Sequence, residues 1–416
     1  MNAFNLIALV LTLAAVSSYV NHRFIKLPVS IGLMLIALVC SLLLILANHL
    51  GLQIAFAKEI VGGIKFDRTL MQGMLSFLLF AGALNVDVES LLKHKWTITI
   101  FTFFGVIAST VIIAVLGWLL FDCVGIRLPF VQCLLFGALI SPTDPVAVLA
   151  LLKELHAPRT LEIKIAGEAL FNDGLAIVVF ITVAGAASGH SQVDMASVGL
   201  LFFQEAIGGV CLGLVLGWVT YFLVKSIDQY QVEILLTLAL VTGGYALANA
   251  LNTSGPLATV TAGILIGNRG RRLAMSETTR QHLNMFWELI DEIMNAVLFM
   301  LIGVEVLDLS FENRYWLAIA LALPIVLAAR WVSVLIPALV LRTGRSTPHL
   351  VTIMTWGGLR GGISVALALS LADNPYRNFI VTITYAVVVF SILVQGLTTP
   401  MLLRRTLNSY RPQSCP

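Results

Sequence analysis

Charge is the scarcest commodity in this chain. Only 11% of its 416 residues are Asp, Glu, Lys or Arg, against about 25% in an ordinary soluble domain. So little charge cannot cover a soluble globule of this size. A soluble helical protein would also show apolar runs of about 10–14 residues between amphipathic, charge-rich stretches, and these are missing. Cysteine is equally uninformative: Cys40, Cys123, Cys133, Cys211 and Cys415 show no CxxC spacing and mostly sit in apolar runs, where a thiol acts as a small hydrophobe. Neither a disulfide framework nor a resident metal or other cofactor is expected. No GxxxxGK[ST] sequence occurs, and about a dozen residues follow the last apolar run, too few for an ATP-binding domain. There is no HExxH motif, and the seven histidines lie in or near loops, which argues against an intramembrane hydrolase and against an enzyme generally. Lys and Arg are dispersed and the net charge is +3, so no nucleic-acid partner is implied, and nothing points to a soluble protein partner. The first apolar run, residues 5–20, has no basic residue before it and no cleavage site after it, and reads as a retained span.

What is present is hydrophobic length. Residues of apolar type make up 59% of the chain, in recurrent runs of roughly 18–25, each able to cross a hydrocarbon core about 30 Å thick as a helix. The pattern predicts an all-α membrane protein of about thirteen spans, over residues 3–20, 27–47, 69–87, 96–121, 129–152, 163–188, 199–225, 230–249, 255–268, 286–308, 314–342, 348–371 and 377–403, in a single transmembrane domain covering 1–416. The stretch 48–68 is too polar to cross and is expected to hold an interfacial helix. With this span count and the C-terminus inside, seventeen Lys and Arg residues fall in inside loops, six in outside loops, and Arg330 and Arg360 within spans, which accounts for all 25. The positive-inside rule then places the N-terminus outside and the C-terminus in the cytoplasm of a plasma membrane, and the short tail points to a prokaryote.

Ionisable groups at membrane depth cost about 2.5–3.5 kcal/mol and are functional candidates by default. Ser141-Pro142-Thr143-Asp144-Pro145 lies inside the fifth span. Two prolines three apart remove helical hydrogen bonds and imply unwound backbone. Freed carbonyls beside the Asp144 carboxylate are the ligands a hard cation such as sodium prefers, and such backbone is tolerated where it lines a cavity. A simple kink, with Asp144 capping the following half-helix, is the alternative. Gly167-Glu168-Ala169-Leu170-Phe171-Asn172-Asp173-Gly174 opens the sixth span. Glu168 and Asp173 are separated by about 140° on a helix, so Asp173 is free to face a cavity while Glu168 points to a neighbour. A buried carboxylate titrates near neutrality, where protons and cations compete for it; a structural carboxylate is the alternative. Trp356-Gly357-Gly358-Leu359-Arg360-Gly361-Gly362 interrupts the twelfth span, with Gly357, Gly358, Gly361 and Gly362 permitting close approach. Arg360 requires an anionic partner, and Glu168 is the candidate; glycines serving helix packing alone would leave Arg360 unexplained.

The fifth and twelfth spans are seven apart and therefore antiparallel. Two interrupted spans at corresponding places are the mark of an inverted-repeat transporter with its site at the midplane. A passive cation channel fits less well, because no repeated filter sequence or charged ring is present. Asn172 places a neutral amide beside Asp173, where a second titrating carboxylate would carry an extra proton, and this predicts electroneutral one-for-one exchange.

These motifs resemble those of the monovalent cation:proton antiporter family of the NhaP and sodium/proton-exchanger type. The resemblance runs through Leu79-Phe80-Ala81-Gly82, Thr143-Asp144-Pro145, Glu168 with Asn172-Asp173, Asn268-Arg269-Gly270, Phe286-Trp287-Glu288, Leu301-Ile302-Gly303 and Gly358-Leu359-Arg360-Gly361. It implies a homodimer in the lipid bilayer serving pH homeostasis, with a core domain that moves as an elevator against a dimerisation domain. It also implies that Asp173 binds the cation (sodium, with lithium or potassium as alternatives) or the proton. Thr143, through its backbone carbonyl, and Asp144 would help ligate the cation, and Glu168 would pair with Arg360. Where the family often has serine, this chain has Ala169, which removes a hydroxyl and bears on sodium preference. Asn295 and Arg330 match polar positions of the family's core, Arg330 either as packing support or in a direct role.

Overall fold

A computed structural model describes residues 3–50, 73–155, 157–187, 195–308, 315–342 and 349–408. Among them the regular secondary structure is helical, and the sole strand-like feature is an isolated bridge between Asp144 and Leu359. In chain order the helices are α1 (Ala3–Val20), α2 (Val29–His49), α3 (Leu75–Leu84), α4 (Val88–Lys93), α5 (Lys95–Cys123), α6 (Phe130–Ile140), α7 (Val146–Glu154), α8 (Arg159–Ala187) and α9 (Met195–Lys225). They continue with α10 (Tyr230–Ala250), α11 (Gly255–Leu265), α12 (Glu277–Glu305), α13 (Tyr315–Val340), α14 (Leu350–Trp356), α15 (Gly362–Leu369), α16 (Arg377–Phe390) and α17 (Gly396–Asn408).

Among the described residues, eight helical stretches are long and apolar enough to cross a membrane by length and composition. The other expected spans are occupied by shorter or more polar helices: α3, α11, α12 and the two pairs α6/α7 and α14/α15. The expected interfacial helix at 48–68 lies, beyond residue 50, outside the described residues.

The burial pattern suits lipid as solvent. Leu42, Leu43, Leu46, Trp118, Val215, Phe222 and Leu235 are exposed, whereas Thr143, Glu168, Asn172, Arg330 and Arg360 are buried. Helix boundaries follow local chemistry: Ser254 caps α11, Ser276 caps α12 and Asp87 caps α4, each accepting a first-turn backbone N–H that would otherwise be unsatisfied. Asn21 closes the α1–α2 turn by donating to the Leu27 carbonyl at 2.8 Å. Pro324 and Pro337 lie inside α13 without ending it, so proline alone does not account for the break between α6 and α7.

Neighbours repeat with a shift of seven spans. α2 packs on α12 as α11 packs on α3; α5 packs on α6 and α8 as α13 packs on α14 and α16; and α5 meets its own counterpart α13. A Cβ on Gly303 of α12 would overlap Ala37 of α2, so glycine sets that close approach. The repeat brings two non-helical segments, 141–145 and 357–361, together in the interior.

Candidate functional site

The two breaks cross. Where α6 stops and α7 resumes, the Asp144 N–H donates to the Leu359 carbonyl at 2.8 Å. The Asp144 carboxyl lies over Gly361: a Cβ on Gly361 would stand 2.7 Å from Asp144 Oδ2. This position is the N-terminal end of α15, where unsatisfied N–H groups and the helix dipole favour negative charge. Arg360 does the reverse for α6. Its Nη1 donates to the Ser141 carbonyl at 2.5 Å and the Pro142 carbonyl at 2.9 Å, two acceptors beyond the end of α6. Each break thus sends the other half-helix a charge of the sign its end requires. Pro142, Pro145, Gly357, Gly358 and Gly361 lie in the breaks, whereas Gly362 is already the first residue of α15. Arg360 is anchored further by its backbone N–H, which donates to Ser391 Oγ at 2.9 Å; Ser391 in turn donates to Gln395 at 2.6 Å.

The expected pairing of Glu168 with Arg360 is corrected. Glu168 pairs with Arg330: Nη1 donates to Oε1 at 2.8 Å and Nη2 to Oε2 at 3.0 Å, with side chains 5% and 3% exposed. The reason is geometric. A guanidinium held along α13, with Nε on the Met354 carbonyl at 3.2 Å, presents its fork to both carboxylate oxygens at once. Arg360 has turned its guanidinium toward the carbonyls of 141 and 142, and among the described residues its side chain is held by these carbonyls. Those two freed carbonyls, candidates for a cation, are therefore engaged by Arg360. Arg330 is thus the ion-pair partner of Glu168, and the polar position it shares with the family's core was the signal that pointed to it.

Asn172 links the elements. Its Nδ2 donates to Thr143 Oγ1 at 3.1 Å and to Glu168 Oε1 at 3.4 Å, and its buried Oδ1 has no donor among the described residues. One residue on, Asp173 is half-buried and lies in the fields of Asp144 and Glu168. Thr102 on α5 steadies this stretch of α8 with a bond to the Glu168 carbonyl at 3.4 Å, and Ala169 is buried without contributing an oxygen. The structure therefore assembles Thr143, Asp144, Glu168, Asn172 and Asp173 around one crossing, with Arg330 holding Glu168 and Arg360 holding the break. Among the described residues no group of three His, Cys, Asp or Glu side chains is placed to hold a metal ion; a monovalent cation here would draw on two carboxylates plus neutral oxygens.

Residues 9–405 match the family model described as "Sodium/hydrogen exchanger, transmembrane". Among curated relatives, the Na(+)/H(+) antiporter NhaP of Pseudomonas aeruginosa is 48% identical over 411 residues, covering 96% of both chains. The Na(+)/H(+) antiporter NhaH of Halobacillus dabanensis is 33% identical over 401 residues, covering 95% of this chain and 96% of its own. In fold, the chain is similar to the sodium proton antiporter MjNhaP1 of Methanocaldococcus jannaschii at pH 8, with a TM-score of 0.76 over 97% of this chain and 98% of that one at 19% identity. With a family model spanning nearly the whole chain and a relative at this identity, the protein belongs to the sodium/hydrogen exchanger family.

Proposed function

We propose that the protein is a secondary antiporter that exchanges a monovalent cation, sodium foremost, for a proton. The observation that carries this reading is the crossing itself: two broken helices, their end charges matched by Asp144 and Arg360, beside the half-buried Asp173. In this scheme Asp173 is the exchanging group. It carries either the proton or the cation, which Asp144 and the oxygens of Thr143 and Asn172 help to ligate. Glu168 stays paired with Arg330 throughout and supplies architecture and field. With Asn172 neutral, the site loses one proton for each cation bound, so the exchange is electroneutral.

The remainder of the scheme rests on the same family membership. The core of α5–α8 and α13–α17 moves as an elevator against a dimerisation domain within a homodimer, the N-terminus lies outside and the C-terminus in the cytoplasm of a prokaryotic plasma membrane, and the protein takes part in pH homeostasis. The relatives' names support sodium; Ala169 keeps potassium as the second reading, because a missing hydroxyl lowers the field at the site. Proton-gradient dissipation in proteoliposomes, challenged separately with sodium, lithium and potassium, tests both. Saturating, gradient-reversible flux with sodium and lithium supports the proposal, potassium-selective flux supports the second reading, and non-saturating cation leak without proton movement would overturn both in favour of a channel.

A further inference from the structure

A guanidinium that gives one nitrogen to two carbonyls still has another to place. Arg360 Nη1 is committed to the Ser141 and Pro142 carbonyls, but its Nη2, on a side chain 2% exposed, has no partner among the described residues. A charged N–H without an acceptor is among the costlier things an interior can hold. The Thr355 hydroxyl, in the last turn of α14, is in the same position: its oxygen is buried and has no partner among the described residues. A threonine inside a helix ordinarily donates to the carbonyl three or four residues back, as Thr382, Thr398 and Thr399 do here. Thr355 makes no such bond.

Both residues line one cavity. It lies behind the second break, between α13, the end of α14 and the π-helical turn Ser391–Gln395 after α16, with Val326, Val387 and Phe390 as apolar wall and Thr355, Arg360 and Gln395 as polar rim. A water molecule can be centred over about 10 Å³ of it, which is room for a single buried water. The rim is preformed. Ser391 Oγ accepts from the Arg360 backbone N–H at 2.9 Å and donates to Gln395 Oε1 at 2.6 Å, and Gln395 Nε2 donates to the Trp356 carbonyl at 3.2 Å. The π-turn thus holds the break from both sides. Arg330 also lines the cavity, but its charge is met by Glu168 and its Nε is given to the Met354 carbonyl. What remains on offer is one cationic N–H, a hydroxyl and a carboxamide, a set that a neutral water satisfies by accepting from the first and donating to the others.

We propose that this cavity is a binding site for one water molecule, which accepts from Arg360 Nη2 and donates to Thr355 Oγ1, and that Thr355 is thereby a positioning residue for Arg360. Its influence reaches the crossing through Arg360. With Nη2 satisfied, the guanidinium keeps Nη1 on the carbonyls of 141 and 142, and the backbone leading to Thr143 and Asp144 stays fixed. Without the water, Nη2 gains an acceptor only if the guanidinium leaves those carbonyls. Cation binding must then re-order the break, and the apparent affinity falls with the fraction of molecules in which the break is already ordered.

The experiment is cryo-electron microscopy of the parent, Thr355→Val and Thr355→Ser in lipid nanodiscs, at a resolution that shows ordered water elsewhere in the protein, with sodium-driven proton flux measured on the same preparations. Valine keeps the shape and removes the hydroxyl. The parent should show one peak within hydrogen-bonding distance of both Arg360 Nη2 and Thr355 Oγ1. Thr355→Val should lose that peak and raise the sodium KM roughly two- to tenfold, the weight of about one hydrogen bond, with the maximal rate little changed. Thr355→Ser should restore both peak and KM. A parent map without the peak, or a peak that strengthens when buffer chloride is replaced by bromide, would overturn the water site. Thr355→Val with lowered thermal stability and a parental KM would overturn the positioning role. Loss of folding in Thr355→Val is recognised by its size-exclusion profile, and the parent map and Thr355→Ser then decide. The KM arm rests on the antiport reading: absence of exchange in the parent would refute that reading, and the peak alone would then decide the water site.

Discussion

Removing either member of the Glu168–Arg330 pair leaves a charge in the middle of the protein with nothing to replace its partner. The pair makes two charge-assisted hydrogen bonds at 2.8 and 3.0 Å, with both side chains at most 5% exposed. For buried pairs in soluble proteins, loss of one partner costs about 3–5 kcal/mol, whereas loss of both is far less damaging. Glu168→Ala should cost the most, because it strands Arg330 and also removes an acceptor for Asn172. Arg330→Ala should approach it, and the double variant should be less unstable than the sum by about 2 kcal/mol or more. Chemical unfolding in a mild detergent, followed by tryptophan fluorescence, gives the four free energies of the cycle. A second cycle, Glu168→Ala with Arg360→Ala, is the control: Arg360 is held by the Ser141 and Pro142 carbonyls, so its coupling to Glu168 should be clearly weaker. Additivity in the first cycle, or larger coupling in the second, would refute the pairing.

Asp173→Asn should fold and abolish exchange, since an amide keeps the shape but cannot bind and release a proton; size-exclusion profiles and flux assays on the same preparation check both halves. Asp144→Asn should cripple exchange by removing a cation ligand, again with a normal elution profile. Gly361→Ala places a methyl 2.7 Å from Asp144 Oδ2, so the carboxyl must shift, and sodium KM should rise with a modest stability loss. At the α4–α5 junction, burial and the nearby Lys164 and Lys93 hold His94 below the ordinary histidine range. A folded-state value below the unfolded one means that its contribution to stability is present above about pH 6.5 and is lost as pH falls through the depressed value. His94→Gln should flatten the pH dependence of thermal stability in that window, and leave it unchanged at pH 8.

Membrane residence, the helical class and the two interruptions were legible because each depends on local features: run length, paired prolines, and glycines around an arginine. Residues 141–145 and 357–361 announced themselves, and charge balance at membrane depth announced that Arg360 needs an anion and that Glu168 was available, which leaves open which arginine Glu168 takes. Charge balance does not say which cation. Arg330 and Arg360 are both deep and basic, and the choice was made by the way α13 lies behind α14, a long-range packing outcome with no local signature. The engagement of the 141 and 142 carbonyls by Arg360 was invisible for the same reason: the partners are over two hundred residues apart. Asn172 was expected to matter through its neutrality; that it bridges Thr143 and Glu168 follows only once α8 is seated against the break.

In the proposed cycle one carboxylate, Asp173, trades one cation for one proton at the crossing. Proteoliposomes containing the parent protein, with membrane potential clamped by a potassium diffusion potential, report the sodium gradient at which proton flux reverses. One-for-one exchange predicts reversal where the sodium ratio equals the proton ratio at every imposed voltage, and no flux in Asp173→Asn. A reversal point that moves with voltage, or a parental flux retained in Asp173→Asn, would contradict it.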